Sequence, residues 1–142
     1  MRFVLDPNVL ISALLTRNGA PAELLSRWLA GEFEAIASDA LMRELEGVLM
    51  REKFRRYVEV HEARAFVALV RASAVMAGDA ASPPRVSPDS GDDYLFALAA
   101  SARADALVTG DKALLRVSPA LLVISPAIAV RLLDGPLPGA GA

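Results

Sequence analysis

The sequence predicts an α/β fold in which a central parallel sheet of about four or five strands is flanked by helices on both faces. Two observations lead to this prediction. Short, uniformly apolar runs recur along the chain, and longer segments with helical periodicity separate them. Strands that are apolar at every position indicate a sheet covered on both sides, and intervening helices supply the crossovers that parallel strands need.

The predicted strands are bounded by charged residues or turn residues. The first ends directly before Asp6, and the fourth ends directly before Gly110. The five predicted strands are residues 3–5, 33–37, 74–77, 106–109 and 121–124.

The predicted helices begin at recognisable start signals. Pro7 and Pro21 suit the first turn of a helix, and Ser38 or Asp39 caps the third helix. The charged stretch 51–58 is expected to be helix-like. The predicted helices are residues 7–15, 21–31, 39–50, 60–72, 92–104 and 125–133, with a short helical turn at 111–115.

Length and composition restrict the possible functions. The 142 residues make about one domain, expected over residues 1–134, with a disordered tail at 135–142. The absence of cysteine and the single histidine exclude disulfides and zinc sites of the usual spacing, and they fit a cytoplasmic location. No apolar run is long enough for a membrane span, and we expect no membrane partner.

Four carboxylates stand beside apolar runs. Asp6 and Asp111 follow predicted strands, Glu44 lies in a predicted helix, and Asp92 begins another. Parallel sheets bind ligands at the carboxyl ends of their strands, which places Asp6 and Asp111 on one edge. Because buried carboxylates are costly unless they are paired or bound to a cation, acids converging from distant positions predict a site for a hard metal ion.

Helical phase predicts which of two neighbouring acids faces the core. Glu44 lies on the flank of the apolar stripe of its helix, whereas Glu46 points away from it. Asp92 is three residues before Leu95 and is expected to face the buried side, with Asp93 turned outward. Asp93 remains a rival for the third acidic position. Simple helix capping is the competing interpretation of each aspartate taken singly.

Other polar residues are candidates for supporting roles. Asn8 and Thr109 stand near the two strand ends and are expected to support the site, whereas His61 at a helix start is interpreted as a surface or capping residue. A basic run with interleaved aromatic residues is a candidate contact for a phosphate backbone, although a solvated helix explains it as well. Its basic residues are Arg51, Lys53, Arg55 and Arg56.

These motifs together resemble the PIN-domain family. The segments Val4–Ala13, Arg43–Leu45, Asp92–Leu95 and Leu107–Asp111 are similar to its four acidic motifs in order and separation, although Pro7 stands where threonine is common. The resemblance, closest to toxins of the VapC type, implies a ribonuclease dependent on Mg²⁺ or Mn²⁺ that forms a homodimer or higher homo-oligomer and is held inactive by a small antitoxin. It implies Asp6, Glu44, Asp92 and Asp111 as the catalytic and metal-binding acids, with RNA as the substrate.

Two alternatives come from other functional classes. One is a catalytically inactive PIN-like module that binds metal or RNA, which the retention of all four acids disfavours. The other is a phosphotransfer domain with an acidic pocket. Asn8 replaces the second aspartate expected in one such class, and Lys112 stands beside Asp111 rather than after a later strand, as the other class requires.

Overall fold

A computed structural model describes residues 1–86, 89–116 and 122–135. The predicted α/β class is confirmed: the described residues form one five-stranded parallel sheet with the order β3-β2-β1-β4-β5. The strands are β1 (Arg2–Leu5), β2 (Glu34–Ala37), β3 (Val75–Met76), β4 (Ala106–Val108) and β5 (Val123–Ile124).

Two helices begin where their start signals predict. Ser38 caps the third helix by accepting a hydrogen bond from the backbone N of Leu41, and Pro7 occupies the first turn of the first helix. The helices are α1 (Pro7–Leu15), α2 (Ala20–Leu29), α3 (Asp39–Leu49), α4 (Val60–Ser73), α5 (Asp93–Ser101) and α6 (Pro126–Leu133).

The order of the strands creates a switch point beside β1. The chain runs outward from β1 to β2 and β3, then returns to place β4 on the other side of β1. Right-handed crossovers therefore put α5 on the face of the sheet opposite α1 and α3. In agreement with this, α1 packs on α2 and α3, whereas α5 packs against β1, β2 and β4.

The core lies on both faces of the central strands. Phe3, Leu107 and Leu95 are completely buried, and the ring of Phe3 contacts that of Phe33 with centroids 5.1 Å apart. Because β1 and β4 are buried on both sides, their carboxyl ends are held rigidly. The residues that directly follow β1 and β4 therefore have a defined position relative to the sheet.

The sequence-based boundaries were wrong in two places. Residues 51–58 contain only a 3₁₀ turn at Glu52–Phe54 instead of a longer helix, and α5 begins at Asp93 after a 3₁₀ turn at Ser90–Asp92. All of the predicted tail except its first residue lies outside the described residues, as does the start of the predicted last strand. None of the helices in the described parts of the chain has the length and apolar character needed to cross a membrane.

Candidate metal centre at the carboxyl edge of the sheet

Asp6 is a buried carboxylate at the switch point of the sheet. It follows β1, caps α1, and is only 4% exposed. One carboxylate oxygen accepts a hydrogen bond from the backbone N of Asn8 at 2.9 Å, and the other accepts one from the hydroxyl of Thr109 at 2.8 Å. Burial raises the pKa of Asp6, the two hydrogen bonds oppose that rise, and the charge of Asp111 adds to it.

Thr109 connects the two strand ends. It is completely buried after β4, and its hydroxyl donates to Asp6 while accepting a hydrogen bond from the backbone N of Asp111 at 3.0 Å. Asp111 is exposed and accepts a hydrogen bond from the backbone N of Ala113 at 2.8 Å. Thr109, expected to support the site, thus hydrogen-bonds the carboxylate of one predicted acid and the backbone of another.

Glu44 reaches the same edge from α3. It is half-buried, and its carboxylate accepts a hydrogen bond from the hydroxyl of Tyr94 on α5. Burial raises the pKa of Glu44, the Tyr94 hydrogen bond lowers it, and the charges of Asp6 and Asp89 raise it further. Glu46, its rival on the same helix, is exposed, as the helical phase predicted.

Asp92 lies in the electric field of all the other predicted acids. Burial, followed by repulsion from Asp6, Asp89, Glu44 and Asp111, raises its pKa to about 6. Asp6, Glu44, Asp92 and Asp111, which we call the acidic rim, therefore lie near enough to repel one another.

Asp93 occupies a different environment from the one that phase predicted. It is 1% exposed, more buried than Asp92, and it accepts a hydrogen bond from the backbone N of Val86 at 3.0 Å and forms an ion pair with Arg85 at 3.3 Å. The predicted outward orientation of Asp93 was wrong, because the buried side of α5 is wider than the predicted apolar stripe and includes Phe96, three residues after Asp93. Asp92, in the 3₁₀ turn before α5, is half-buried. Asp93 anchors the preceding loop.

The acidic rim fits a hydrated hard cation. Its donors are all carboxylate oxygens, as Mg²⁺ and Mn²⁺ prefer. Within the described ranges, however, Glu59, His61 and Glu62 form the only group of three whose potential ligand atoms all lie within 4.8 Å of one another, and all three are exposed. The rim acids are less tightly clustered. A cation held by these acids would therefore have to keep several of its water molecules, as Mg²⁺ does.

The four basic residues of the run differ in their exposure to solvent. Arg51, Lys53 and Arg56 are exposed, and the charge of Arg51 lowers the pKa of Glu44. Arg55 instead turns inward and donates a hydrogen bond to the carbonyl of Leu49 at the end of α3. Arg55 is therefore poorly placed to contact a nucleic acid in this conformation.

A cavity of about 330 Å³ opens beside the rim. Asn8, Ser12, Gly110 and Asp111 contribute to its lining. Asn8 is exposed, and the structure thus places this predicted supporting residue on the cavity wall next to Asp6.

Sequence reasoning missed two residues at the site. Tyr94 was not considered, although a partly buried tyrosine needs a hydrogen-bond partner for its hydroxyl. Asp89 lies in the long loop before α5 and contributes charge to the field around Glu44 and Asp92. Nothing in the local pattern of that loop marks Asp89 as a neighbour of the acids.

Fold and site together define an α/β protein with an acidic centre at the switch point of a parallel sheet. The chain belongs to the PIN-domain family, because the sequence model of the PIN domain matches residues 2–113. PIN domains are generally nucleases. None of the curated proteins is significantly similar to the chain in sequence.

Solved structures show the same fold. One is VapBC2 from Rickettsia felis bound to a DNA fragment from its promoter, with a TM-score of 0.63 and 15% identity, covering 88% of this chain and 98% of that chain. Another is PAE2754 from Pyrobaculum aerophilum, with a TM-score of 0.63 and 18% identity, covering 94% of this chain and 90% of that chain. The predicted PIN-like architecture is confirmed by these similarities.

Proposed function

We propose that this chain is an endoribonuclease that hydrolyses phosphodiester bonds at the acidic rim with Mg²⁺ or Mn²⁺ as cofactor. The observation that carries the proposal is the position of Asp92, which is half-buried and repelled by acids from three other parts of the chain. A centre of uncompensated negative charge is unfavourable for the protein alone and favourable for a bound cation. Such a centre also suits chemistry on a phosphate, whose own charge the cation offsets.

The rim acids would hold the cation, each presented by a different element. Asp6 is fixed most firmly, by Asn8 and Thr109, and Glu44 is held by Tyr94. A bound divalent cation supplies acidification of a water molecule and neutralisation of phosphate charge. The backbone of Asp111 is tied to the Asp6 carboxylate through Thr109, so the Asp111 side chain starts from a fixed position beside Asp6.

RNA would approach the rim along its basic neighbours. The chain has a net charge of −2, so attraction of a polyanion has to be local. Arg51, Lys53 and Arg56 are exposed, and Arg51 lies close enough to Glu44 to affect its pKa. We assign these three side chains to contacts with the phosphate backbone of RNA. Arg55 is not included, because it hydrogen-bonds the end of α3.

Cleavage of structured RNAs with and without Mn²⁺ tests the activity. Glu44→Gln and Glu46→Gln form a matched pair, because both change a glutamate on α3 but only Glu44 faces the rim. We expect cleavage that depends on Mn²⁺ in the wild type and in Glu46→Gln, and a loss of about 100-fold or more in Glu44→Gln. Mn²⁺ binding without cleavage of any RNA would instead support an inactive binding module.

The chemistry of the product ends tests the reaction type. Addition of water across the bond between phosphorus and O3′ leaves a 5′-phosphate on one fragment and a 3′-hydroxyl on the other. We expect these ends for hydrolysis at a carboxylate-held cation. A 2′,3′-cyclic phosphate would show instead that the RNA's own 2′-hydroxyl attacks, which contradicts the proposed mechanism.

We also propose that the protein is the toxin of a cytoplasmic toxin–antitoxin pair and assembles as a homodimer or higher homo-oligomer. The fold similarity to VapBC2 supports this role. A small DNA-binding protein encoded beside this chain should co-purify with it and suppress its ribonuclease activity. Light scattering of the purified protein tests the oligomeric state, and a monomer at micromolar concentration would contradict that part of the proposal.

A further inference from the structure

Tyr94 connects Glu44 on α3 to α5. Its hydroxyl donates to an oxygen of Glu44, a residue 50 positions earlier in the chain. Tyr94 itself is half-buried, and it begins α5 together with Asp93. The hydrogen bond therefore links, at the acidic rim, two helices that lie on different faces of the sheet.

The hydrogen bond leaves Glu44 able to bind a cation. A carboxylate offers about four lone-pair positions, and the tyrosine occupies one of them. Among the described residues no other group forms a hydrogen bond with Glu44. The second oxygen of Glu44 is thus available while the first is held in place.

The chemical type of the donor matters as much as its position. A lysine or arginine at this place would neutralise Glu44 and compete with a cation, whereas a phenol donates without adding charge. The Thr109 hydroxyl likewise donates to Asp6, so Asp6 and Glu44 are both oriented by neutral hydroxyl groups.

Fixing Glu44 in advance has a physical benefit. A glutamate has three rotatable side-chain bonds, and immobilising such a side chain costs conformational entropy. A partner that orients it in the absence of metal removes part of this cost from metal binding.

From these observations we propose that Tyr94 is a positioning residue of the metal centre, which orients the Glu44 carboxylate for a divalent cation. This inference rests on the proposed function, because it assumes that the rim binds a cation. Tyr94 has no assigned contact with RNA or with the reacting phosphate.

Titration calorimetry with Mn²⁺ tests the proposal directly. Tyr94→Phe removes only the hydroxyl, and Tyr57→Phe is the matched control, because Tyr57 is the other tyrosine of the chain and is 65% exposed. We expect the Kd for Mn²⁺ to rise about 10-fold in Tyr94→Phe and to stay within about twofold in Tyr57→Phe. Cleavage by Tyr94→Phe should fall at low Mn²⁺ and recover at tenfold higher Mn²⁺, with an unchanged KM for RNA.

A double-mutant cycle separates positioning from a general structural effect. If Tyr94 acts through Glu44, adding Tyr94→Phe to Glu44→Gln should not weaken Mn²⁺ binding further. An equal weakening in both backgrounds would contradict the proposal. Thermal unfolding without metal shows whether each variant is folded.

The possible failures are distinguishable. Wild-type protein that binds Mn²⁺, with an unchanged Kd in a folded Tyr94→Phe variant, overturns the role of Tyr94 and leaves the proposed function intact. Wild-type protein that binds no divalent cation overturns both.

Discussion

Two acidic groups in this molecule differ in how strongly their carboxylates are buried and repel one another. Glu59, His61 and Glu62, which we call the α4 cap, lie close together, but they are exposed and belong to the first turn of one helix. Glu59 and Glu62 form a reciprocal capping box, which explains their proximity completely. The acidic rim is more loosely spaced, yet its members come from four separate places, and all of them except Asp111 are buried or half-buried.

Burial and mutual repulsion distinguish the rim from the α4 cap, whereas proximity alone would favour the cap. Water screens the charges of the α4 cap, so their closeness costs little. At the rim, burial is the largest cause of the raised pKa values of Asp6, Glu44 and Asp92. A cation would relieve the repulsion at the rim and would gain little at the cap.

The largest expected difference between the two groups is in catalysis. Asp6→Asn should reduce RNA cleavage by about 100-fold or more, because Asp6 is the most firmly held carboxylate of the rim. Glu62→Gln, which retains a side chain suited to the capping box, should leave cleavage within about twofold of the wild type. Initial rates on one structured RNA at saturating Mn²⁺ measure both, and equal losses in the two variants would refute the distinction.

The next effect is stabilisation by metal. At a Mn²⁺ concentration about 100 times the Kd, binding should add about 2.7 kcal/mol to the free energy of unfolding. The added stability should raise Tm at pH 7 by several degrees. Asp92→Asn should lose most of this gain, whereas Glu59→Gln should keep it. Thermal unfolding with and without Mn²⁺ provides the measurement, and an unchanged wild-type Tm would remove the support for metal binding.

Breaking the internal support of the rim should have a smaller effect. Thr109→Val removes the hydroxyl that donates to buried Asp6 and should lower the free energy of unfolding by about 2 kcal/mol. Thr16→Val is a suitable control because Thr16, the other threonine, is exposed. Urea unfolding compares the two variants. Losses of the same size would mean that the Asp6 contact contributes nothing particular to stability.

The smallest effect is the dependence of metal-free stability on pH. The folded protein retains the Asp92 proton up to about pH 6, whereas the unfolded chain releases it near 3.8. The folded state therefore loses stability as the pH rises from about 4 to about 6. Because Asp92 is partly exposed and screened by solvent, we expect a loss of about 1 kcal/mol from this residue.

Asp92→Asn should reduce that dependence, and Glu62→Gln should leave it unchanged. Urea unfolding in the presence of a chelator, at pH 4 and at pH 7, gives the comparison. A wild-type protein that becomes more stable over this range, with the Asp92→Asn protein showing the same rise, would contradict the assigned repulsion.

Much of the fold could be predicted because its signals are local. Uniformly apolar strands, Pro7 in the first turn of α1 and Ser38 before α3 each act within a few residues. The helical phase also separated Glu44 from Glu46 correctly. The same reasoning was wrong for Asp93, because the buried side of α5 is wider than the predicted apolar stripe, and Asp93 forms an ion pair with the loop residue Arg85.

The sequence by itself determined the elements, the parallel sheet and the presence of acids at strand ends, since these depend on periodicity and on neighbours along the chain. Only the tertiary structure decided which groups satisfy those acids. The contacts of Thr109 with Asp6 and of Tyr94 with Glu44 span 103 and 50 residues. Such pairings depend on how β4 and α5 return to the centre of the sheet. A local pattern of side chains cannot predict a contact between residues so far apart in the sequence.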